Sequence, residues 1–147
     1  MDMDTDYPIG STDILVVDDE WEIGELVVFL LTGHGYRAHY AANGQVALRR
    51  LAEAPVDLVL TDFTMPVMDG CDLIRAMRAM DWLAATPVLV LSAMPEEVVR
   101  KACPRADAFL SKPFTSEELL DSVRHIVGHP KPSCSSAFAA VGVDNIK

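Results

Sequence analysis

The chain has 147 residues, half of them hydrophobic, and a formal net charge of −10 at pH 7. This length suits a single domain with its own core, and the hydrophobic fraction argues against an extensively disordered chain. The negative charge argues against nonspecific binding to nucleic acid or to an anionic membrane, because both need positive potential.

Cysteine content and the N-terminal residues bear on the cellular compartment. The three cysteines, Cys71, Cys103 and Cys134, are odd in number and form no C-x-x-C pair. We therefore expect reduced thiols rather than a disulfide framework or a zinc site. The first ten residues, MDMDTDYPIG, lack the basic and apolar regions of a signal peptide, and every apolar run is far shorter than the roughly 20 residues that cross a bilayer. These features predict a cytoplasmic protein without membrane contact.

Short apolar runs alternate with amphipathic segments along most of the chain. Four of the runs are Leu-rich or β-branched without clean alternation, which is typical of parallel strands covered by helices on both faces. The run at 37–41 is more polar and suits an edge strand. The predicted strands are residues 14–17, 37–41, 56–60, 88–91 and 108–110.

Helical periodicity fills the gaps between these runs. An apolar face after Glu20 predicts a first helix that ends at Gly33 and Gly35, and Asn43 is suited to cap a second helix that reaches about Ala54. The apolar face of the first helix comprises Ile23, Leu26, Val27, Leu30 and Leu31.

Three further helices follow. Apolar residues at 73–77 mark the third, and Pro95 opens a short fourth helix. The fifth begins at a T-x-x-E capping box, residues 115–118, and ends at Gly128.

Five strands in alternation with five helices predict an α/β fold. The expected domain is a doubly wound, five-stranded parallel sheet within residues 12–128. Residues 1–11 are predicted to form an acidic flexible arm, and residues 129–147 a Pro/Ser-rich tail that is disordered.

Polar residues gather where the predicted strands end, which is the edge at which α/β folds place their sites. Taken singly, each residue has an ordinary role, because aspartate and serine cap helices and a lysine is usually solvated. The residues are Asp18 and Asp19 after the first strand, Asp62 after the third, Ser92 at the fourth, and Ser111 with Lys112 at the fifth.

If the first and third strands are neighbours, the three carboxylates at their ends would repel one another unless a cation or raised pKa values relieved the charge. Mg²⁺ suits such a site, because it prefers a few carboxylates together with water and phosphate oxygens. A carboxylate beside Mg²⁺ is a nucleophile toward phosphorus, and Lys112 would provide a counter-charge for the phosphate. The pattern predicts metal-assisted phosphate chemistry that depends on positioning and electrostatics.

Four segments resemble the receiver domain of two-component response regulators, in the family's order and at compatible spacing. The resemblance implies a flavodoxin-like (βα)5 fold with strand order 2-1-3-4-5. It also implies that the domain accepts a phosphoryl group from phosphohistidine on a sensor histidine kinase or a phosphotransfer protein. The segments are LVVDDE at 15–20, TDFTMPVMDG at 61–70, VLVLSA at 88–93 and FLSKPF at 109–114.

The resemblance assigns the acceptor and the metal ligands position by position. Asp62 matches the phosphoacceptor and also contacts the metal. Asp19 matches the direct Mg²⁺ ligand, and Asp18 matches its partner, which often acts through water. The backbone carbonyl of Thr64 would complete the ligand set.

The resemblance also assigns the residues that respond to the phosphoryl group. Ser92 matches the hydroxyl that moves toward it, and Lys112 matches the lysine that pairs with it, before a Lys112–Pro113 bond that is usually cis. Phe109 falls at the aromatic switch position, where tyrosine is frequent. Since phenylalanine has no hydroxyl, its readout would depend on packing. We hypothesise that the bulky Met94 hinders attacking water and lengthens the phosphorylated state.

The functional prediction is a receiver that signals through an unknown downstream protein, without direct contact with nucleic acid. Its chemistry would be self-catalysed phosphoryl acceptance and slow autodephosphorylation, so we do not expect an enzyme. Two alternatives stay open: a phosphate shuttle or sink, and a receiver fragment of a larger regulator or hybrid kinase. Trp21, Ile23 and Phe114 are candidates for docking a kinase's phosphotransfer domain, although core packing or a helix staple is the simpler interpretation, above all for Ile23.

The sequence disfavours three rival interpretations. Phosphohydrolases of the dehalogenase-like superfamily also pass through an aspartyl phosphate, but they carry D-x-D-x-T after the first strand, where this chain has Asp18, Asp19 and Glu20. A flavodoxin-like cofactor binder would share the fold, yet the sequence contains neither G-x-G-x-x-G nor a Walker loop. A degenerate receiver would lack acceptor-site residue types, all of which are present here.

Overall fold

A five-stranded parallel sheet lies at the centre of the computed structural model, which describes residues 12–128. The strand order β2-β1-β3-β4-β5 confirms the predicted doubly wound α/β fold. The polar strand β2 lies at one edge, as predicted, and β5 lies at the other. The strands are β1 (Asp13–Val17), β2 (Arg37–Ala41), β3 (Leu58–Asp62), β4 (Val88–Ser92) and β5 (Ala108–Ser111).

Helices connect the strands, and their ends follow the predicted caps. The Asn43 side chain accepts a hydrogen bond from the Val46 amide, and Thr115 and Glu118 form the expected reciprocal capping box. A short 3-10 turn at Asp81–Leu83 was not predicted. The helices are α1 (Trp21–Gly33), α2 (Gly44–Glu53), α3 (Gly70–Arg78), α4 (Glu96–Ala102) and α5 (Ser116–Val127).

Successive strand residues point to opposite faces of the sheet and enter two separate cores. Ile14 and Val16 of β1 pack with α1 and α5, whereas Leu15 and Val17 pack with α2, α3 and α4. Both faces are therefore covered, which accounts for the continuous apolar sequence of the inner strands.

The third strand differs from its predicted range of 56–60 and occupies Leu58–Asp62. Pairing with β1 begins at Leu58, and pairing with β4 continues to Asp62, opposite Leu91. Hydropathy could not locate this end, because a threonine and an aspartate interrupt the apolar run. Asp62 is thus the last residue of a buried strand rather than a loop residue.

The exposed surface of α1 also differs from prediction. The helix buries Gly24, Val27 and Leu31, while Ile23 and Leu26 are exposed by 36% and 65%. The expectation that Ile23 packs in the core is therefore wrong. The buried stripe begins at Gly24, where the Tyr40 ring occupies the space in which a Cβ would lie.

A second correction concerns the cysteines. Cys71 and Cys103 form a disulfide with a Cα–Cα separation of 5.2 Å, so the expectation of reduced thiols is wrong for this pair. Sequence spacing gave no signal, since 32 positions separate the two residues and the fold alone brings them together. Cys134 lies outside the described residues.

The predicted arm (1–11) and tail (129–147) also lie outside the described residues, so these domain boundaries stay predictions. Within residues 12–128, no helix has both the length and the apolar character needed to span a bilayer.

Candidate functional site

Three carboxylates meet at the carboxyl end of the sheet. Parallel pairing sets Val17 level with Thr61, so Asp18, the first residue after β1, lies next to Asp62 at the end of β3. Together with Asp19 they each offer a carboxylate oxygen, and these oxygens lie within 4.8 Å of one another. Asp18 and Asp62 are buried, whereas Asp19 is exposed. The fold thus brings together the three aspartates that the sequence singled out.

Backbone hydrogen bonds hold the turn that carries Asp18 and Asp19. The Asp18 amide donates to the Ala41 carbonyl at 3.2 Å, and the Tyr40 hydroxyl donates to the Asp18 carbonyl at 2.6 Å. The Asp18 carboxylate in turn accepts from the Glu20 amide at 2.9 Å. Sequence analysis missed Tyr40, because no local pattern relates an edge-strand tyrosine to a carbonyl 22 positions away.

Burial and neighbouring charge both disfavour ionisation of Asp18. Desolvation raises the pKa of Asp18, and the nearby Asp62 and Asp19 carboxylates raise it further. The hydrogen bond from the Glu20 amide and the charge of Lys112 lower this pKa, but they do not outweigh the other causes. A cation bound among these oxygens would remove that cost. Three closely spaced carboxylates are hard oxygen donors, so this residue set fits Mg²⁺.

Lys112, the first residue after β5, reaches the same cluster. Its Nζ lies 2.8 Å from Asp62 Oδ1, and its backbone amide donates to the Ser92 carbonyl at 2.8 Å. Burial lowers the pKa of Lys112, but the hydrogen bond and the charges of Asp62 and Asp18 outweigh burial and raise it. The ammonium is therefore retained beside the carboxylates. The Lys112–Pro113 bond is cis, as the resemblance implied.

The segment after Asp62 folds tightly back on β3. The Gly70 amide donates to the Phe63 carbonyl at 3.0 Å, and a Cβ at Gly70 would lie 2.6 Å from the Asp62 carbonyl oxygen. A side chain at residue 70 would therefore displace the acceptor strand. Asp69 and Asp72 form a capping box that begins α3 here, a D-x-x-D signal that sequence analysis overlooked.

Val67 is the strained residue of this segment. Its φ of 73° lies in the left-handed region, which a β-branched side chain rarely adopts, and the residue is exposed by 79%. Contacts of the valine side chain therefore do not account for the conformation. The turn between β3 and α3 imposes it.

Ser92 ends β4 and is buried. Its hydroxyl oxygen accepts a hydrogen bond from the Met94 amide at 2.9 Å. This bond closes the turn that leads to α4. The Ser92 O–H is a donor as well, so the same hydroxyl has a proton to offer to a ligand.

Phe109 lies on the edge strand β5, half-buried against the core on the α4 side. The Arg100 guanidinium of α4 lies over its ring, with Cζ 4.6 Å from the ring centroid. A charged side chain therefore covers the aromatic at the predicted switch position. The fourth helix is short, as predicted, with seven residues.

The remaining candidates are less closely tied to the cluster. Thr64 is exposed, and the role of its carbonyl stays a prediction. Trp21 is 63% exposed and Ile23 is 36% exposed in the first turn of α1, so each presents apolar surface close in the chain to the acidic turn. Phe114 is partly buried against the core formed with α1 and α5.

Comparison with known proteins identifies one family. The model of the response regulator receiver domain matches residues 14–124. The Transcriptional regulatory protein KdpE of Mycobacterium tuberculosis is 39% identical over 116 residues, which cover 78% of this chain and 50% of that protein. The DNA-binding response regulator MtrA of Mycolicibacterium paratuberculosis is 35% identical over 113 residues, with 76% and 49% covered. This chain spans about half the length of these curated relatives.

Solved structures agree with the sequence comparison. The chemotaxis protein CheY4 of Vibrio cholerae superposes with a TM-score of 0.73 at 32% identity, over 79% of this chain and 98% of that one. The receiver domain of the sensor histidine kinase PA1611 from Pseudomonas aeruginosa has a TM-score of 0.73 at 28% identity, with 80% and 98% covered. That structure is described with a magnesium ion coordinated in its active-site cleft.

Proposed function

This chain belongs to the response regulator receiver domain family, and on that premise we propose that Asp62 accepts a phosphoryl group from a phosphohistidine. The donor would be a sensor histidine kinase or a phosphotransfer protein. The observation that carries the proposal is the contact between Lys112 Nζ and Asp62 Oδ1, 2.8 Å, inside a cluster of three carboxylates. The nucleophilic Asp62 carboxylate therefore already lies beside the Lys112 ammonium, which would stabilise the phosphoryl group after transfer.

The proposed phosphoryl transfer is a displacement at phosphorus. An Asp62 oxygen attacks phosphorus, a P–O bond forms, and the P–N bond to the donor imidazole breaks with its electron pair leaving on nitrogen. Lys112 holds the carboxylate before transfer and then stabilises a phosphoryl oxygen by a charge-assisted hydrogen bond. The buried Ser92 hydroxyl would donate to another phosphoryl oxygen.

Asp18, Asp19 and Asp62 would hold Mg²⁺, with the Thr64 carbonyl as a further ligand. The metal would neutralise charge on the phosphoryl oxygens. Support for this assignment comes from the clustered oxygens and from the raised pKa of Asp18, which desolvation and neighbouring carboxylates cause.

We further propose that the domain works in the cytoplasm and acts through a downstream protein rather than as an enzyme. Phosphorylation would bias the turn after β4, α4 and Phe109. This chain covers about half the length of its curated relatives, one of which is a DNA-binding regulator. The proposal therefore concerns the receiver domain and does not extend to the activity of those longer proteins. A phosphate shuttle and a receiver fragment remain alternatives, and absence of direct nucleic-acid contact remains a prediction.

Acetyl phosphate with Mg²⁺ tests the central proposal. Intact mass should show one added phosphoryl group on the full chain, and none after Asp62→Ala or in excess EDTA. Asp81→Ala is the matched control, because it removes an exposed aspartate from the 3-10 turn before β4. No adduct on the wild type, or an adduct that persists in Asp62→Ala, would refute the assignment.

Met94 provides a test of how long the phosphoryl group lasts. Met94 is 44% exposed, and its amide binds the Ser92 hydroxyl, which places it at the entrance to the site. We expect Met94→Ala to shorten the half-life of phosphorylated Asp62 about 3-fold, because water gains access. The half-life is read by intact mass after removal of acetyl phosphate. Equal half-lives would contradict the hypothesis.

A further inference from the structure

The Cys71–Cys103 disulfide joins two helices on one face of the sheet. Cys71 is the second residue of α3, and Cys103 is the C-cap of α4. Both are buried, with relative exposures of 6% and 3%. The bond therefore connects the helix that follows the acceptor strand to the helix that follows Ser92.

Each end of this bond is close in the chain to a residue of the site. Cys71 follows Gly70, whose backbone packs directly against the Asp62 carbonyl and donates to Phe63. Cys103 ends the helix in which Arg100 lies over the Phe109 ring. A movement of α4 relative to β3 would have to stretch or break this link.

α4 has few other attachments. Of its seven residues only Val99 is buried, and its N-cap Pro95 provides no side-chain hydrogen bond. The Cys103 amide donates to the Val99 carbonyl at 2.7 Å, so the helix ends in a regular turn at the disulfide. A helix with one buried side chain opens locally at low cost, and the covalent link is thus its strongest restraint.

We propose that Cys71 and Cys103 form a reversible dithiol–disulfide site that determines whether α4 responds to phosphorylation. The disulfide holds α4 against α3, and phosphorylated Asp62 then leaves the helix in place. The dithiol form releases α4, and phosphorylation moves it. This inference rests on the proposed function, because it concerns the response to phosphorylation of Asp62.

A dithiol reductant is the chemical class of the reaction partner. One of its thiolates attacks a cysteine sulfur, the S–S bond breaks, and the electron pair leaves on the other cysteine sulfur. Its second thiolate then attacks the reductant's sulfur in the mixed disulfide, that S–S bond breaks, and the electron pair leaves on the remaining cysteine sulfur. The products are two cysteine thiols, which take up two protons, and one oxidised, cyclic reductant. A small-molecule disulfide reverses the reaction.

Access to the sulfurs is from the carboxyl end of α4. The residues on either side of Cys103, Ala102 and Pro104, are exposed, although Cys103 itself is buried. Opening of the last turn of α4 exposes the bond without disturbing the sheet. The reaction rate should therefore follow the local opening of this helix.

Thiol labelling of the full chain tests the bond itself. Cys134→Ser is introduced throughout, which leaves two of the three cysteines. Labelling with iodoacetamide under denaturing conditions should add no group after treatment with oxidised glutathione and two groups after dithiothreitol. Two labels after oxidation would overturn the proposal.

Amide hydrogen exchange of α4, with and without acetyl phosphate and Mg²⁺, tests the coupling. We expect phosphorylation to change exchange in residues 96–103 by about 5-fold or more in the dithiol form and by less than about 2-fold in the disulfide form. The variant Cys71→Ser/Cys103→Ser should behave like the dithiol form under both redox conditions. If this variant folds poorly, the test still stands, because the protein that retains Cys71 and Cys103 can be compared in its disulfide and dithiol forms.

Intact mass of the same samples separates the possible failures. If both redox forms gain a phosphoryl group and show the same change in α4 hydrogen exchange, the redox inference is overturned and the proposed function is not. No adduct in either form would refute the proposed function and, with it, the inference. An adduct in both forms with a response confined to the dithiol form supports both.

Discussion

The acceptor end and the α4 side of this domain differ in how firmly the chain holds them. Around Asp62, a buried strand, a close backbone approach at Gly70 and the Lys112 contact hold the carboxylate in place. On the other side, α4 has one buried residue, and Phe109 is half-buried on an edge strand. The first arrangement suits chemistry that needs preorganised groups, and the second suits a surface that changes shape.

The disulfide restrains the more weakly attached side of the domain. The acceptor end is held by many noncovalent contacts, so no single bond decides its geometry. α4 depends on the disulfide, the Arg100–Phe109 contact and Val99. Substitutions at the acceptor end should therefore change chemistry, and substitutions around α4 should change mobility.

Removal of the Lys112 charge should have the largest effect on the rate of phosphorylation. Lys112→Ala should slow phosphorylation by acetyl phosphate by about 100-fold or more, because the variant loses a charge that stabilises the transferring group. Mg²⁺ binding should persist, since the three aspartates remain. The rate is read by intact mass over time, and Lys101→Ala on α4 is the control. A Lys112→Ala rate within two-fold of wild type would contradict this view of the site.

Reduction of the disulfide should have the largest effect on stability, rather than on chemistry. The bond closes a loop between residues 32 positions apart, and a loop of this length restrains the unfolded chain by about 4 kcal/mol. Urea unfolding of the Cys134→Ser protein should show a loss approaching this value after dithiothreitol. Cys71→Ser/Cys103→Ser should be insensitive to the reductant. An unchanged unfolding free energy would argue against the link.

Tyr40 tests whether the edge strand positions the metal ligands. Tyr40→Phe removes the hydrogen bond to the Asp18 carbonyl, and we expect Mg²⁺ affinity, measured by calorimetry, to fall about 5-fold. Tyr36→Phe is a matched control, because that hydroxyl donates to the carbonyl of Gly128 at 3.0 Å, beyond the end of α5. Both variants should lose similar stability. Equal Mg²⁺ affinity in the two would limit Tyr40 to a structural role.

The smallest effect should come from the cation over Phe109. Arg100→Met keeps the apolar stem but removes the charge, and should lower the unfolding free energy by about 0.5–1 kcal/mol. Arg100 also pairs with Glu96, so Glu96→Gln measures that contribution separately. A double-mutant cycle with Phe109→Leu isolates the ring contact. Zero coupling energy would show that Arg100 does not restrain Phe109.

Much of the fold could be predicted because its signals are local. The capping box at Thr115 and the cap at Asn43 are local hydrogen bonds, and both occur as expected. The end of β3 was misplaced, since strand pairing rather than hydropathy decides that Asp62 is still in the sheet. The buried face of α1 was misassigned for a related reason: Gly24 is buried where the Tyr40 ring lies against it.

At the site, too, some features follow from local sequence and others from the packing of the strands. Residue types at the strand ends, with the order of the motifs, were enough to identify Asp18, Asp19, Asp62 and Lys112 as candidates. The chain order of parallel strands makes this possible, because their carboxyl ends share one edge. The strand pairing then set Asp18 beside Asp62, and the Lys112 ammonium lies at hydrogen-bond distance from the same carboxylate.

Residue type and short spacing are enough to predict the alternation of strands and helices, the family and the residues of the acidic cluster. Tertiary structure decided the Tyr40 contact, the close approach at Gly70 and the pairing of Cys71 with Cys103. These features join positions far apart in the chain, and no local pattern encodes them. Their distances exist only once the sheet and its helices have packed.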